Sequence, residues 1–157
     1  MEKRGGKVLA LAKKIKQELK SFCKRIEIAG SIRRHSENPY DIDIVLIPKD
    51  KKKLEEFMNK KLKAKFIQGG EHESTWKIEG IKVELYYTNE EEWGAELLAY
   101  SSEKGAGIGL RIVARKKGFK LTQHGLFNRK TGKKIAGKTE EEIYHALGRP
   151  YKKPEDR

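Results

Sequence analysis

The chain has 157 residues, of which 36% are hydrophobic and 38% are charged, and its 36 Lys and Arg against 23 Asp and Glu give a formal net charge of +13. A positive excess of this size favours polyanionic partners such as nucleic acid, and a single cysteine, Cys23, excludes an internal disulfide and a cysteine-rich zinc site. No apolar run approaches the roughly 18 residues of a membrane-spanning helix, and the apolar start at Val8 is broken by lysines too early for a signal peptide. We therefore expect an intracellular protein with no membrane segment.

The first hundred residues are predicted to form a mixed α/β domain. Apolar side chains recur on one helical face within residues 7–20, with lysines on the opposite face. The further elements predicted for this domain, 1–100, are strands at 25–28 and 41–47, a helix at 50–61, strands at 74–78 and 81–87, and a helix at 90–100.

The remaining residues, 101–157, are predicted to form a smaller basic α/β domain. Its predicted elements are a helix at 103–117, strands at 119–121, 125–128 and 133–135 with a Thr131-Gly132 hairpin turn, and a helix at 139–147.

Two aspartates, Asp41 and Asp43, lie two residues apart in a predicted strand, so their side chains leave the same face. Like charges on one face repel one another unless a cation lies between them, and Mg²⁺ prefers such oxygen ligands. The alternative is that both acids simply point to water from an exposed strand face.

Three neighbouring features favour the metal interpretation. Gly30-Ser31 follows a strand and precedes a predicted helical turn, where backbone N–H groups can hold an anion. Arg33 and Arg34 come directly afterwards and can pair with phosphate oxygens. A later strand carries Glu84 between apolar residues, and an adjacent strand could bring this acid beside Asp41 and Asp43. Three carboxylates and an anion-binding turn are what two-metal nucleotidyl transfer requires.

Residues 132–139, GKKIAGKT, match the P-loop pattern literally. A P-loop requires a buried strand before it and a long helix after it, and neither is predicted here. We interpret Thr139 instead as the N-cap of the last helix, with Glu142 completing a capping box.

The Gly30-Ser31 turn followed after eleven residues by Asp41-x-Asp43 resembles the nucleotidyltransferase superfamily signature, and the Arg-Arg pair resembles DNA polymerase family X in particular. Residues 93–117 and the segments GFKLTQHGLF and IAGKTEEEIYHALGRPYKKPEDR are similar to that family's palm-to-thumb crossing and thumb. The resemblance implies an α+β fold: a nucleotidyltransferase palm, with a mixed sheet and helices on one face, followed by a small α/β thumb. It also implies two Mg²⁺ ions, for which Mn²⁺ can substitute.

The resemblance assigns roles to individual residues. The metal ligands and catalytic acids are expected at Asp41, Asp43 and Glu84. Nucleotide contacts are expected at Gly30, Ser31, Arg34 and Tyr100. DNA contacts are expected at Arg111, which would face the minor groove, and at Lys116, Lys117 and Lys120, for which solvated lysines are the alternative.

Some positions depart from the family's pattern. The third acid is usually Asp, and here it is Glu84. The aromatic pair that ends the palm helix is often Tyr-Phe, and here it is Ala99-Tyr100, followed by Ser102 in place of a usual Gly. A small residue before an aromatic resembles family members that accept ribonucleotides.

The leading hypothesis is therefore a monomeric DNA-directed DNA polymerase that fills short gaps in DNA repair. Its expected partners are gapped or primer-template DNA and deoxynucleoside triphosphates, with ribonucleoside triphosphates as a further substrate. One alternative is a template-independent or non-DNA nucleotidyltransferase of the same superfamily. Another is a non-catalytic basic module that holds nucleic acid ends.

Overall fold

The computed structural model describes residues 4–157, apart from the side chains of residues 4, 104 and 105. The chain forms two compact units, which divide between Thr88 and Asn89. We expected this boundary after residue 100. The division falls before the helix Trp93–Ser101 because that helix contributes Ala95 and Leu98 to the apolar core of the second unit.

The first unit contains a mixed five-stranded sheet and three helices. Its elements are α1 Arg4–Leu19, β1 Cys23–Ile28, α2 Gly30–Arg33, β2 Ile42–Pro48, α3 Lys51–Lys60, β3 Lys65–Gly69, β4 Glu73–Ile78 and β5 Ile81–Tyr87. The strand order is β1-β2-β5-β4-β3. Among the described strands, β2 and β5 pair in parallel. The β1-β2, β5-β4 and β4-β3 pairs are antiparallel.

One face of this sheet is covered by α1 and α3. The predicted apolar face of α1 is buried through Val8, Ala12, Ile15 and Leu19. These side chains share a core with Leu54 and Met58 of α3 and with alternate residues of the strands, among them Ile42, Ile44, Leu46, Val83, Leu85 and Tyr87. Because strand side chains alternate between faces, Asp43 and Glu84 leave the opposite face of β2 and β5.

The second unit is built from three helices and a three-stranded antiparallel sheet. Its elements are α4 Trp93–Ser101, α5 Lys104–Lys116, β6 Phe119–Thr122, β7 Gly125–Asn128, β8 Lys134–Ala136 and α6 Glu140–Ala146. The sheet order is β6-β7-β8. The core is small and includes Leu98, Leu126, Ile143 and Leu147. The chain is thus an α+β protein, as predicted.

The structure confirms the helix-cap interpretation of residues 132–139. Thr139 Oγ1 accepts a hydrogen bond from the Glu142 backbone N–H at 3.1 Å. Glu142 Oε1 accepts from the N–H groups of Gly137 and Lys138 at 2.8 and 2.7 Å. These N–H groups are therefore occupied by the chain's own carboxylate, as in a capping box.

Each predicted element is present, with ends displaced by at most about three residues. The structure also contains one strand that the sequence did not predict, β3. All five of its residues are exposed and show no apolar alternation. Among the described residues, no helix has the length and the apolarity needed to cross a bilayer.

Candidate active site

The two strand acids meet across the central parallel pair of the sheet. In the register of β2 with β5, Asp43 is the Cα partner of Glu84. Asp41 directly precedes β2, two residues before Asp43. The chain thus brings Glu84 beside Asp43, as the sequence predicted, and the charge of Asp41 also acts on Asp43.

The glycine-serine turn lies against the carboxylate of Asp43. The Ala29 N–H donates to the Asp43 backbone carbonyl at 2.7 Å, and α2 begins at the next residue. Gly30 has a φ of +62°, and a Cβ built there would lie 2.3 Å from Asp43 Oδ2. Glycine is needed at this position both for its positive φ and for the close approach.

The predicted phosphate-binding side chains occupy α2 and its end. Ser31 is the second residue of α2, and Arg34 is its C-cap. Both side chains are half-buried.

Two further side chains contact the acids. Tyr86 Oη donates to Asp43 Oδ1 at 3.1 Å and is also hydrogen-bonded to Glu84 Oε2. Lys82 Nζ forms an ion pair with Glu84 Oε1 at 2.6 Å. Lys82, Glu84 and Tyr86 alternate along β5 and therefore share one face.

The paired acids have opposite pKa shifts. Burial, followed by the charge of Glu84, raises the pKa of Asp43 to about 6, although the hydrogen bond from Tyr86 opposes this shift. Burial also acts to raise the pKa of Glu84, but the hydrogen bonds from Lys82 and Tyr86 outweigh it and hold that pKa below its usual range. Burial and the nearby charge of Asp43 raise the pKa of Tyr86 far above its usual range, so its hydroxyl remains protonated.

The second unit carries a separate pocket of about 410 Å³ between α4, α5 and β6. Its lining includes Ala99, Ser102, Gly107, Arg111 and Lys120. Ala99 is exposed although it belongs to a largely apolar helix, so it does not pack in the core. Ser102 Oγ donates to the Leu98 carbonyl at 2.9 Å, which fixes the side chain at the end of α4.

A basic groove adjoins this pocket on the outer side of α5. It also measures about 410 Å³ and shares Arg111 and Lys120 with the pocket. Arg115 and Arg129 add two further cations, and the exposed side chains of Ile108 and Ile112 also line the groove. This combination of cations and apolar surface is suited to a nucleic acid strand.

A third group of potential ligands lies in the second unit. Ligand atoms of Glu92, Glu96 and His124 are within 4.8 Å of one another. His124 Nδ1 is hydrogen-bonded to Glu92 Oε1, and Asn89 Nδ2 donates to Glu92 Oε2 at 3.0 Å. Partners within the chain thus already engage Glu92 and His124.

Comparisons with known proteins show similarity to DNA polymerases. The family model described as DNA polymerase beta thumb matches residues 96–157. A relative from African swine fever virus named Repair DNA polymerase X is 29% identical over 149 residues, which cover 90% of this chain and 86% of the relative. Over 90% of its length the chain is thus similar to repair polymerases of DNA polymerase family X.

Two cellular relatives agree with this assignment. A Bacillus subtilis protein named DNA polymerase/3'-5' exonuclease PolX is 27% identical over 97% of this chain, although the match covers only 28% of the relative. DNA polymerase IV of Saccharomyces cerevisiae is 34% identical over 76 residues, or 48% of this chain. Both units of the chain are therefore covered by relatives that are named as DNA polymerases.

The predicted DNA-binding residues of the polymerase separate into two sets. Arg111 and Lys120 line both the pocket and the groove. Lys116 and Lys117 are exposed at the end of α5, and Lys117 lies near Gly148, where a Cβ would be 3.4 Å from its Nζ. Tyr100 is half-buried near the end of α4.

Sequence reasoning missed four residues of these sites. Arg115 follows Arg111 by one helical turn, and Lys82 and Tyr86 flank Glu84 at strand spacing, so periodicity could have found all three. Arg129 lies in the turn after β7 and reaches the groove only through the fold, and no local pattern indicates it.

The carboxylates fit a divalent cation. The site offers only hard oxygen ligands, which suit Mg²⁺ or Mn²⁺. Burial is the main cause of the raised pKa of Asp43, and repulsion by the charges of Glu84 and Asp41 adds to it. A bound cation would remove this repulsion.

Proposed function

We propose that this family X polymerase is a DNA-directed DNA polymerase that transfers a nucleotide from a deoxynucleoside triphosphate to a primer 3′-hydroxyl during the filling of short gaps in DNA repair. The observation that carries the proposal is the register of Asp43 with Glu84 beside the Gly30 turn. This arrangement places acids from two strands next to a potential phosphate-binding turn, within a chain whose relatives are named as repair DNA polymerases.

In this proposal Asp41, Asp43 and Glu84 hold two Mg²⁺ ions, for which Mn²⁺ can substitute. When bound, the ions lower the pKa of the attacking hydroxyl and neutralise the charge that develops on the transferring phosphate. Ser31, Arg34 and the N–H groups of the Gly30 turn bind the triphosphate, and Tyr100 packs against the nucleotide sugar. Glu84, which stays ionised, is the acid directed toward the primer 3′-hydroxyl.

The reaction forms a bond between the primer 3′-oxygen and the α-phosphorus and breaks the bond from that phosphorus to the bridging oxygen. Glu84 accepts the hydroxyl proton of the primer, and pyrophosphate leaves. The chain's contribution is to orient these groups and to supply fixed charges, since phosphoryl transfer relies mainly on positioning and electrostatic stabilisation.

The DNA is held, we propose, by the groove of the second unit. Arg111 faces the minor groove, and Lys120 contacts the phosphate backbone, with Lys116 and Lys117 as further contacts along the strand. The expected active form is a monomer, and a repair enzyme of this kind acts inside the cell, where the genome lies.

A primer-extension assay on a one-nucleotide gap tests this function. The four deoxynucleotides are offered singly. Insertion of only the complementary nucleotide would support a templated polymerase. Indiscriminate addition would identify a template-independent transferase. A chain that binds the gapped DNA but adds nothing would be a non-catalytic module.

A further inference from the structure

Tyr86 lies at the centre of the acid cluster, and neither the family comparison nor the expected ligand set accounts for it. It follows Glu84 by two residues on β5, so both side chains leave the sheet on the acid-bearing face. The residue is only 6% exposed. Its ring is therefore held firmly while its hydroxyl reaches the acids.

The hydroxyl of Tyr86 contacts one oxygen of each paired acid. It donates to Asp43 Oδ1 at 3.1 Å and is hydrogen-bonded to Glu84 Oε2. The two carboxylates come from different strands, so this single side chain links β2 and β5 on the acid face, in addition to the backbone pairing of the strands.

The remaining oxygens of the two acids have different surroundings. Asp43 Oδ2 faces Gly30, and Glu84 Oε1 is paired with Lys82, whose side chain is 48% exposed. A long exposed lysine is free to move when a cation arrives, whereas the buried phenol is not. Each carboxylate oxygen has more than one acceptor site, so the tyrosine can stay bonded while the same acids bind a cation.

We infer that Tyr86 is a positioning residue for the cation site, and that its hydroxyl fixes the relative placement of the Asp43 and Glu84 carboxylates. This inference rests on the proposed role of the two acids as cation ligands. Hydrogen bonds to ligating carboxylates orient them, and loss of such a partner typically costs 10–100-fold in metal affinity or activity.

The adjacent tyrosine provides a matched control. Tyr87 is also 6% exposed, but it faces the helical core, and its hydroxyl is hydrogen-bonded to Ser74 Oγ at 2.6 Å. Tyr86→Phe and Tyr87→Phe therefore each remove one buried hydroxyl from neighbouring positions of one strand. Only the first removes a hydrogen bond to the acid pair.

The experiment measures Mn²⁺ binding by electron paramagnetic resonance on the full chain without DNA or nucleotide, and unfolding of the same samples in urea. We expect Tyr86→Phe to weaken Mn²⁺ binding by about tenfold or more and Tyr87→Phe to change it by less than about twofold. A purely structural role would lower the free energy of unfolding in both variants and leave both Mn²⁺ affinities unchanged, which would overturn the inference. Tighter binding by Tyr86→Phe would overturn it as well, because the hydroxyl would then compete with the cation.

The same samples distinguish this inference from the proposed function. If wild type binds Mn²⁺ and extends primers, but Tyr86→Phe does both equally well, the inference fails and the function stands. If Asp43→Asn binds Mn²⁺ as tightly as wild type does, the acids are not the ligands and the proposed site itself is wrong.

Discussion

Asp43 and Glu84 are neighbours in the sheet, yet their carboxylates have different surroundings. Glu84 receives hydrogen bonds from Lys82 and Tyr86. Asp43 receives a hydrogen bond from Tyr86, and burial is the largest influence on its pKa. The resulting pKa values move in opposite directions. Paired carboxylates with separated pKa values are common at catalytic sites, where function rather than stability determines the arrangement.

Substitution of Asp43 by Asn should stabilise the metal-free protein in a pH-dependent way. Below about pH 4, Asp43 is protonated in both the folded and the unfolded chain, so its charge costs nothing. Between about pH 4 and 6 the unfolded chain loses this proton while the folded chain retains it, because the folded pKa is raised to about 6, and stability therefore falls as the pH rises.

Above about pH 7 Asp43 is ionised in both the folded and the unfolded chain and the cost of its charge is complete, so Asp43→Asn should then be more stable than wild type by on the order of 3 kcal/mol. Urea unfolding of both proteins in chelator at pH 4, 5, 6 and 7.5 measures this difference. A stability difference that is constant across the series would contradict the assigned pKa.

Gly30→Ala should destroy the site through a direct clash. The new Cβ would lie 2.3 Å from Asp43 Oδ2, at a backbone φ of +62°. The control is Gly80→Ala, where φ is +77° but no atom lies within 4 Å of the Cβ, so that backbone strain is the main cost there, about 1–3 kcal/mol. We expect both variants to lose stability but only Gly30→Ala to lose nucleotide insertion, by about a hundredfold or more. Equal insertion rates in the two variants would contradict a close contact between the turn and Asp43.

At the scale of the elements, the faces of β2 and β5 that carry Asp43 and Glu84 could be predicted from the sequence because charged and apolar residues alternate in both strands. Alternation fixes which face each acid occupies, and the family resemblance indicated that the strands are adjacent. The edge strand β3 could not be predicted, since its exposed residues carry no such pattern. Strand spacing puts Tyr86 on the same face as Glu84, but its contact with Asp43 depends on the register that aligns Asp43 with Glu84, and tertiary pairing sets that register.

The end of α4 should control sugar selection by the enzyme. Ala99 is exposed and lines the pocket together with Ser102 and Gly107, so a larger side chain at 99 would narrow the space there. We expect wild type to discriminate against ribonucleotides by no more than tens of fold, and Ala99→Tyr to discriminate more strongly. The measurement is kcat/KM for a deoxynucleotide and the matching ribonucleotide on one gapped substrate. A wild-type preference of about a thousandfold, or roughly 4 kcal/mol of differential transition-state binding, would contradict the prediction.

At the scale of the whole molecule, the charge of +13 should dominate DNA affinity. Lysine and arginine contacts release counterions from DNA, so affinity should fall by on the order of a thousandfold between 50 and 200 mM salt. Lys120→Ala should reduce the slope of log K against log salt by about one, because Lys120 lines the groove and is the residue assigned to the phosphate backbone. Lys52→Ala, an equally exposed position on α3, should leave the slope unchanged. Equal slopes for the two variants would place the DNA elsewhere.

The central claim is that the register-paired acids of β2 and β5 carry nucleotidyl transfer, and the most direct measurement compares two Asp→Asn variants. Asp50 is exposed and caps α3 by accepting from the Lys53 N–H at 3.1 Å, and Asn caps a helix equally well. Because both variants replace an Asp by an Asn, Asp43→Asn and Asp50→Asn change the net charge identically.

The single-turnover rate of insertion into a one-nucleotide gap, with saturating Mg²⁺ and the complementary deoxynucleotide, should fall by on the order of a thousandfold in Asp43→Asn. The rate of Asp50→Asn should stay within about twofold of wild type, because that change leaves the acid cluster intact. An Asp43→Asn protein that inserts the nucleotide at the wild-type rate would contradict the account.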